Sequence, residues 1–165
     1  MLRRSTILLL ILCFQLVHCR QARSYVRAQE LPNYDKGVAN HILFLDFQIT
    51  QDKEKGAVKA ELINAIAGNG KMKDHGQGSI YPDQIKVVHY FSDRRTPVEM
   101  FYEHPLLRTA EVFSQDGNLS KSTQTALKGT LSIRFQEDQA REKIELYSVT
   151  PDRGAVKIYS LLVKK

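Results

Sequence analysis

Apolar and polar residues alternate along most of the chain after residue 40, and this alternation predicts β-strands. In the clearest run, HILFLDFQIT, one face is wholly apolar: Leu43, Leu45, Phe47 and Ile49. Ile42 and Phe44 make the opposite face partly apolar as well. Such a strand is expected in the centre of a sheet, or covered on both sides.

Further apolar or alternating runs follow, separated by turn residues. They are AVKAELINAIA, QIKVVHYF, PVEMFYE, LLRTAEVF, TALKGTLSIRF, IELYSV and AVKIYSLLV. Pro97 and Pro105 bound the PVEMFYE run, which favours a sheet edge because proline cannot donate to a strand ladder. No helical period interrupts this rhythm. The pattern predicts a mostly-β domain over residues 41–165, an antiparallel immunoglobulin-like sandwich of about eight strands.

Residues 116–118, Asp-Gly-Asn, give a strong turn signal. Glycine adopts positive φ without a Cβ penalty, and aspartate can hydrogen-bond its own backbone. A hairpin tip is therefore predicted here, joining residues 110–112 to the alternating strand of residues 131–135. A calcium loop would need more oxygen ligands than this segment offers. The His104-Pro105 step predicts a strand boundary, because the residue before proline is steered into extended geometry.

The same part of the chain carries a resemblance to a group of proteins. The succession HPLLR, DGNL, GTLSIRF and KIELYSV resembles small exported bacterial β-sandwich proteins of unknown function, over about residues 80–150. The resemblance implies an immunoglobulin-like fold. It implies no catalytic residues, because fold and function are separable.

The first nineteen residues, MLRRSTILLLILCFQLVHC, have the three parts of an export signal. Arg3 and Arg4 provide the positive start, and residues 7–14 provide the apolar run. This run is too short for a membrane span, which takes about 20 apolar residues. Residues 1–19 are therefore predicted to be a signal peptide.

Both cysteines, Cys13 and Cys19, lie in this segment, so the sequence favours neither a disulfide framework nor a cysteine-bound metal beyond it. Residues 16–19, LVHC, resemble the lipobox of bacterial lipoproteins, in which the cysteine is acylated. His18 departs from that pattern, which has a small residue before the cysteine. Two fates stay open: lipid attachment at Cys19, or ordinary cleavage near Cys19 or Ala22. Residues 20–40 are polar and are expected to form a tether.

The formal charge of +6 changes this picture little. Taking Arg3 and Arg4 from the 24 basic residues leaves 22 against 18 acidic residues. The two signs are interleaved, as in QDKEKGAVKAE, rather than gathered into one block. Nucleic-acid binding is not predicted.

The histidines outside the leader are His41, His75, His89 and His104, and none has a metal-binding spacing. His89 shares a strand face with Val87 and Phe91, which predicts a hydrogen-bonded core or boundary residue rather than a ligand. The glycine-rich loop GNGKMKDHGQGS is the strongest candidate ligand contact. There Lys71, Lys73 and His75 could meet an anionic ligand. A plain connection between sheets explains the same loop.

These observations predict a non-catalytic exported cell-envelope protein, lipid-anchored or secreted, with a binding or structural role. Its partner is expected to be an unidentified protein or glycan, with membrane contact only through the anchor; no cofactor is indicated. Aromatic residues could line a binding face: Tyr81, Tyr90, Phe101 and Tyr102.

Two other functions stay open. One is a small secreted hydrolase assembled only in three dimensions, from His41, His75 and His104 with Asp46. The other is a eukaryotic secreted domain, since residues 118–120 form a glycosylation sequon at Asn118.

Overall fold

A computed structural model describes residues 24–73, 82–113 and 119–164. Within these ranges the chain forms strands and one short 3₁₀ turn, Ala28–Glu30. The strands are β1 (Ser24–Arg27), β2 (His41–Gln51), β3 (Val58–Asn69), β4 (Gln84–Phe91), β5 (Val98–Glu103), β6 (Leu107–Phe113), β7 (Leu119–Thr125), β8 (Lys128–Gln136), β9 (Arg141–Thr150) and β10 (Gly154–Lys164).

The strands form two larger sheets and a separate hairpin. One sheet has five strands in the order β1-β10-β9-β4-β5, and the other has three in the order β3-β2-β8. Strands β6 and β7 pair only with each other. All pairs are antiparallel except β1 with β10. The prediction of a mostly-β chain with about eight strands is confirmed for the two larger sheets.

The alternation of β2 places its apolar face in the interior. Its inward residues are Leu43, Leu45, Phe47 and Ile49, each at most 1% exposed. The facing sheet contributes Ile85, Val87, Ile144, Leu146 and Leu161 to the same cluster. Phe47 and Tyr159 meet edge-to-face across the interior, with ring centroids 5.4 Å apart. Burying each large apolar side chain contributes roughly 1.5–3 kcal/mol, so this shared interior holds the two sheets together.

The outer face of β2 is half-buried, as Ile42 and Phe44 indicated. Strand β2 is the central strand of its sheet, as predicted. Strand β5 is an edge strand, also as its flanking prolines indicated.

The segment expected to be a tether belongs to the fold from Ser24 onward, which corrects the predicted domain start at His41. Residues 24–27 form β1, parallel to the end of β10. Val26 and Ala28 are buried, and Leu31 and Tyr34 pack against the same core. Residues 24–40 look polar in the sequence because only about one in every two or three of their side chains points inward.

The hairpin expected around residues 116–118 exists, but its second strand differs from the prediction. Strand β6 pairs with β7 from Leu107↔Thr125 to Phe113↔Leu119. Residues 131–135 belong instead to β8, which pairs with β2 in the three-stranded sheet. The turn residues themselves lie outside the described residues. The chain boundary at His104-Pro105 falls between β5 and β6, as predicted.

Gly129, near the start of β8, is required by the approach of Pro105. A Cβ at this position would lie 2.7 Å from the Pro105 carbonyl oxygen and 2.9 Å from its Cβ. Both distances are shorter than real contacts, and a backbone atom cannot rotate away. We expect Gly129→Ala to lower the free energy of unfolding by about 1–3 kcal/mol, measured by urea denaturation.

Thr130→Ala, at an exposed position next along β8, is the matched control and should change stability by less than about 1 kcal/mol. Equal stability of Gly129→Ala and the natural chain would show that the Pro105 loop moves freely.

Candidate functional site

A cleft of about 440 Å³ opens at one end of the two sheets. It lies where the interior stops and four connections converge: the turn between β2 and β3, the segment just before β4, the link between β5 and β6, and the turn between β9 and β10. Its lining residues are Gln51, Lys55, Ala57, Val58, Asp83, His104, Leu106, Leu107, Ser148, Thr150, Asp152, Arg153, Val156 and Ile158.

One wall of the cleft is apolar and continues the core. Val58, Leu107 and Ile158 pack against the buried cluster, and Leu106 is part of it. Val156 remains 48% exposed. Clefts of this size, with apolar walls and a few polar groups, are the usual form of ligand sites.

The buried polar pair of the cleft is His104 with Ser148. His104 Nε2 lies 3.0 Å from Ser148 Oγ, and the backbone N–H of Leu106 donates to His104 Nδ1 at 3.2 Å. Burial lowers the pKa of His104, while the charge of Asp83 acts in the opposite direction. The ring is therefore neutral, and because Nδ1 accepts a hydrogen bond, its proton is on Nε2.

This tautomer determines what the pair can do. A histidine that activates a serine must present a free nitrogen lone pair to the hydroxyl. Here Nε2 donates to Ser148 Oγ instead. The pair satisfies two buried polar groups and does not make Ser148 a nucleophile.

The mouth of the cleft carries charges of both signs. Arg153 donates to the carbonyl of Gly56 at 2.9 Å and lies 3.6 Å from Asp152. Thr150 donates to Asp152 at 2.6 Å, and this bond is the main cause that lowers the pKa of the carboxyl. Lys55 is exposed at the same mouth.

His41 lies at the other end of β2. It is the first residue of that strand, whereas Gln51, which lines the cleft, is the last. Strands rise about 3.3 Å per residue, so about 30 Å separates these ends.

The His41 ring stacks on Tyr34 with centroids 3.9 Å apart. Its Nδ1 lies 2.8 Å from a carboxylate oxygen of Glu137, and its Nε2 lies 2.8 Å from the carbonyl oxygen of Asp35. Both ring nitrogens therefore lie against acceptor oxygens, and the residue is only 2% exposed.

Asp46 lies on the outer face of the three-stranded sheet. It accepts hydrogen bonds from Ser132 at 2.6 Å and from Asn64 at 2.9 Å, and these lower the pKa of its carboxyl. The described members of the residue set considered for a hydrolase, His41, Asp46 and His104, thus occupy three separate places. His75, the fourth, lies outside the described residues.

Lys71 and Lys73 are exposed just after β3, at the His41 end of the sheet. The intervening Met72 N–H donates to the side chain of Gln136 at 2.8 Å. These lysines do not line the cleft, and an anionic ligand for this loop stays a prediction. Cys19 and Asn118 lie outside the described residues.

Ser148, Thr150 and Arg153 had no signal in the sequence that marked them as a site. They become neighbours of His104 only because β9 pairs with β4 and the β9–β10 turn folds over the end of the sheets. In the sequence, the His104-Pro105 step indicated only that a strand ends near His104.

The described ranges contain neither a metal-binding cluster nor a membrane-spanning helix. No three histidine, cysteine, aspartate or glutamate side chains there come close enough together to bind a metal ion. Nor do those ranges contain a helix with the length and apolarity of a membrane span.

Comparisons with family models, with curated proteins and with solved structures found no match to this chain.

His89 is a core residue, as predicted, but its environment is apolar rather than hydrogen-bonded. It is 2% exposed and meets Phe135 edge-to-face at 5.1 Å. Neither ring nitrogen has a hydrogen-bond partner among the described protein groups. Burial, and secondarily the charge of Arg141, lower the pKa of His89 to about 3.

This lowered pKa makes stability depend on pH. Below about pH 6.5 His89 becomes protonated in the unfolded chain but stays neutral in the folded chain. The free energy of unfolding therefore decreases as the pH falls from about 6.5 toward about 3. In this pH range the free energy of unfolding should change with pH less steeply in His89→Leu than in the natural protein, by up to about 1.4 kcal/mol per pH unit. Urea denaturation of both proteins at several pH values measures it. The same pH dependence of the free energy of unfolding in both proteins, between pH 3 and 6.5, would mean that residue 89 is solvated.

Proposed function

We propose that this protein is a non-catalytic, exported cell-envelope protein whose immunoglobulin-like β-sandwich binds a partner protein or glycan. The observation that carries the proposal is the cleft between the ends of the two sheets. It has the size and apolar wall of a ligand site, and its buried polar groups are already paired with each other. Such a site can receive a ligand without reacting with it.

The strand order supports the immunoglobulin-like part of the proposal. The succession β10-β9-β4-β5 corresponds to the G, F, C and C′ strands of an immunoglobulin variable-type sheet, and the β2–β8 pair corresponds to B and E. Strand β3 occupies the position beside B. The cross-sheet packing of Phe47 and Tyr159 is the kind of interior such a sandwich requires.

Two histidines support a non-catalytic role. His104 presents a proton to Ser148, and both ring nitrogens of His41 lie against the oxygens of Glu137 and of the Asp35 carbonyl. General-base catalysis needs a nitrogen lone pair directed at the group to be deprotonated. Neither arrangement supplies one.

The leader of residues 1–19 supports export, and the position of β1 limits how an anchor would work. Only residues 20–23 separate Cys19 from Ser24. Even fully extended, that distance is at most about 18 Å. An acylated Cys19 would therefore hold the domain close to the membrane surface rather than on a long tether.

The cleft can be tested with a pair of matched variants. Ala57→Trp fills the cleft, whereas Ala155→Trp adds the same side chain at an exposed position outside the lining. In pull-downs from the native envelope, we expect a discrete partner to be retained by the natural chain and by Ala155→Trp. Ala57→Trp should lose at least about nine-tenths of it.

Circular dichroism confirms that both variants fold. Equal capture by all three proteins, or capture of nothing, would contradict binding through the cleft.

The anchor is tested by Cys19→Ala. We expect the natural chain to fractionate with membranes and to incorporate labelled fatty acid, and the variant to appear in the soluble fraction. Cys13→Ala is the matched control, because it changes the other cysteine of the leader. Absence of label from the natural chain would contradict acylation and leave ordinary cleavage as the route.

A further inference from the structure

The chain fills the seam between β10 and β3 at one end only. Strand β1 pairs with Leu161–Lys164, the last four residues of β10. The preceding stretch, Gly154–Ser160, has β9 on one side and no strand on the other within the described ranges. We call this stretch the open edge. Every second residue of a strand directs its N–H and C=O to the same side, so the open edge presents a row of main-chain groups that no described strand pairs with.

The filled end of the seam shows what fits there. Val26 of β1 and Ala28 just after it are each 7% exposed and belong to the hydrophobic core. On the β3 side, the Ala67 N–H donates to the carbonyl of Pro32 at 2.9 Å. At this end, therefore, the seam is closed by an extended segment that pairs with β10 through its main chain and turns alternate side chains inward.

The open edge borders the cleft. Val156 and Ile158 of this edge line the cleft together with Val58, the first residue of β3. Residues 154–157 are exposed, whereas Leu161, where the pairing with β1 begins, is fully buried. The two strands thus bound a groove that has unpaired main-chain groups along one side and an apolar wall inside.

The charges of the cleft do not select an ionic ligand. Among the lining residues, Lys55 and Arg153 are balanced by Asp83 and Asp152. The open edge and the apolar wall are what remain to recognise a ligand. A sugar chain has no row of alternating N–H and C=O groups at strand spacing, whereas an extended polypeptide has one and can complete the ladder.

We infer that the occupant is an extended segment of a partner protein, which adds as a strand to the open edge and directs alternate apolar side chains into the cleft. Strand addition takes its affinity from main-chain hydrogen bonds and its specificity from pockets for alternate side chains. Seven of the 11 residues of β10 lie on the open edge, a length of about 23 Å. The inference rests on the proposed binding role of the cleft, and it narrows the partner from protein or glycan to an extended polypeptide.

Two other occupants fit this groove less well. Residues 20–23, Arg-Gln-Ala-Arg, precede β1 and contain no large apolar side chain for the cleft. A second copy that paired through its own β10 would extend the sheet but leave both clefts open. Val156 and Ile158 of each copy would still line that copy's own cleft.

The first test uses a fluorescent peptide in which three valines alternate with three threonines between terminal serines, and it measures binding by anisotropy. Two N-methylated forms are the matched controls, one methylated at the valines and the other at the threonines. An added strand presents only every second N–H to β10. Methylation of one set should therefore weaken binding at least about ten-fold, and methylation of the other less than about three-fold. Ala57→Trp should weaken the unmethylated peptide at least about ten-fold, and Ala155→Trp, outside the cleft lining, less than about three-fold.

The second test measures amide hydrogen exchange of the exported, processed chain by NMR. We expect alternate N–H groups of residues 155–160 to exchange rapidly in the free protein and at least about ten-fold more slowly with the unmethylated peptide bound. Leu161–Lys164 are the internal control in the same strand, because β1 already pairs with them.

Contrary outcomes have distinct meanings. Equal effects of the two sets of methyl groups, or absence of peptide binding, would overturn strand addition. Protection of the open edge in the free monomer would assign it to residues 20–23, and protection in a dimer would assign it to a second copy. Equal capture of the envelope partner by Ala57→Trp and the natural chain would instead contradict the cleft itself.

Discussion

Apolar contact between the inward faces of the two larger sheets is the interaction on which the rest of the structure depends. Phe47 and the other inward residues of β2 are buried because they pack against the facing sheet. The interior is completed by the buried Leu106 and by the inward residues of β3: Val58, Ala60, Leu62, Ala65 and Ala67. Once the sheets are joined, the positions of the turns at both ends are determined, and so are the side chains that those turns carry.

The cleft is a consequence of where this interior ends. Four connections converge beyond the last inward residues, and they enclose the space together with the ends of the strands. Polar groups that become buried there must be satisfied, and His104 with Ser148 shows how: each hydrogen-bonding group of the ring has one partner. The same pairing directs the Nε2 proton of His104 at the Ser148 hydroxyl.

The outer surfaces follow a different principle. Where no second layer covers a sheet, cross-strand pairs of polar side chains stabilise it, and the pairs around Glu145 do this with unusual completeness. On the other sheet, Asp46 accepts cross-strand hydrogen bonds from Asn64 and Ser132, and so joins three strands in the same way with fewer partners. A residue that interrupts an apolar strand can therefore be a cross-strand anchor, and needs no catalytic explanation.

The sequence by itself determined the β character of the chain, the inward face of β2, the edge position of β5 and the boundary before Pro105. These depend on local alternation and on the backbone limits of proline, which nearby residues reveal. Only the tertiary structure decided that residues 24–40 join the fold, that β8 pairs with β2 rather than closing the β6 hairpin, and which side chains meet at the cleft. Strand pairing brings together residues far apart in the chain, and alternation tells which face a residue takes but not which strand lies beside it.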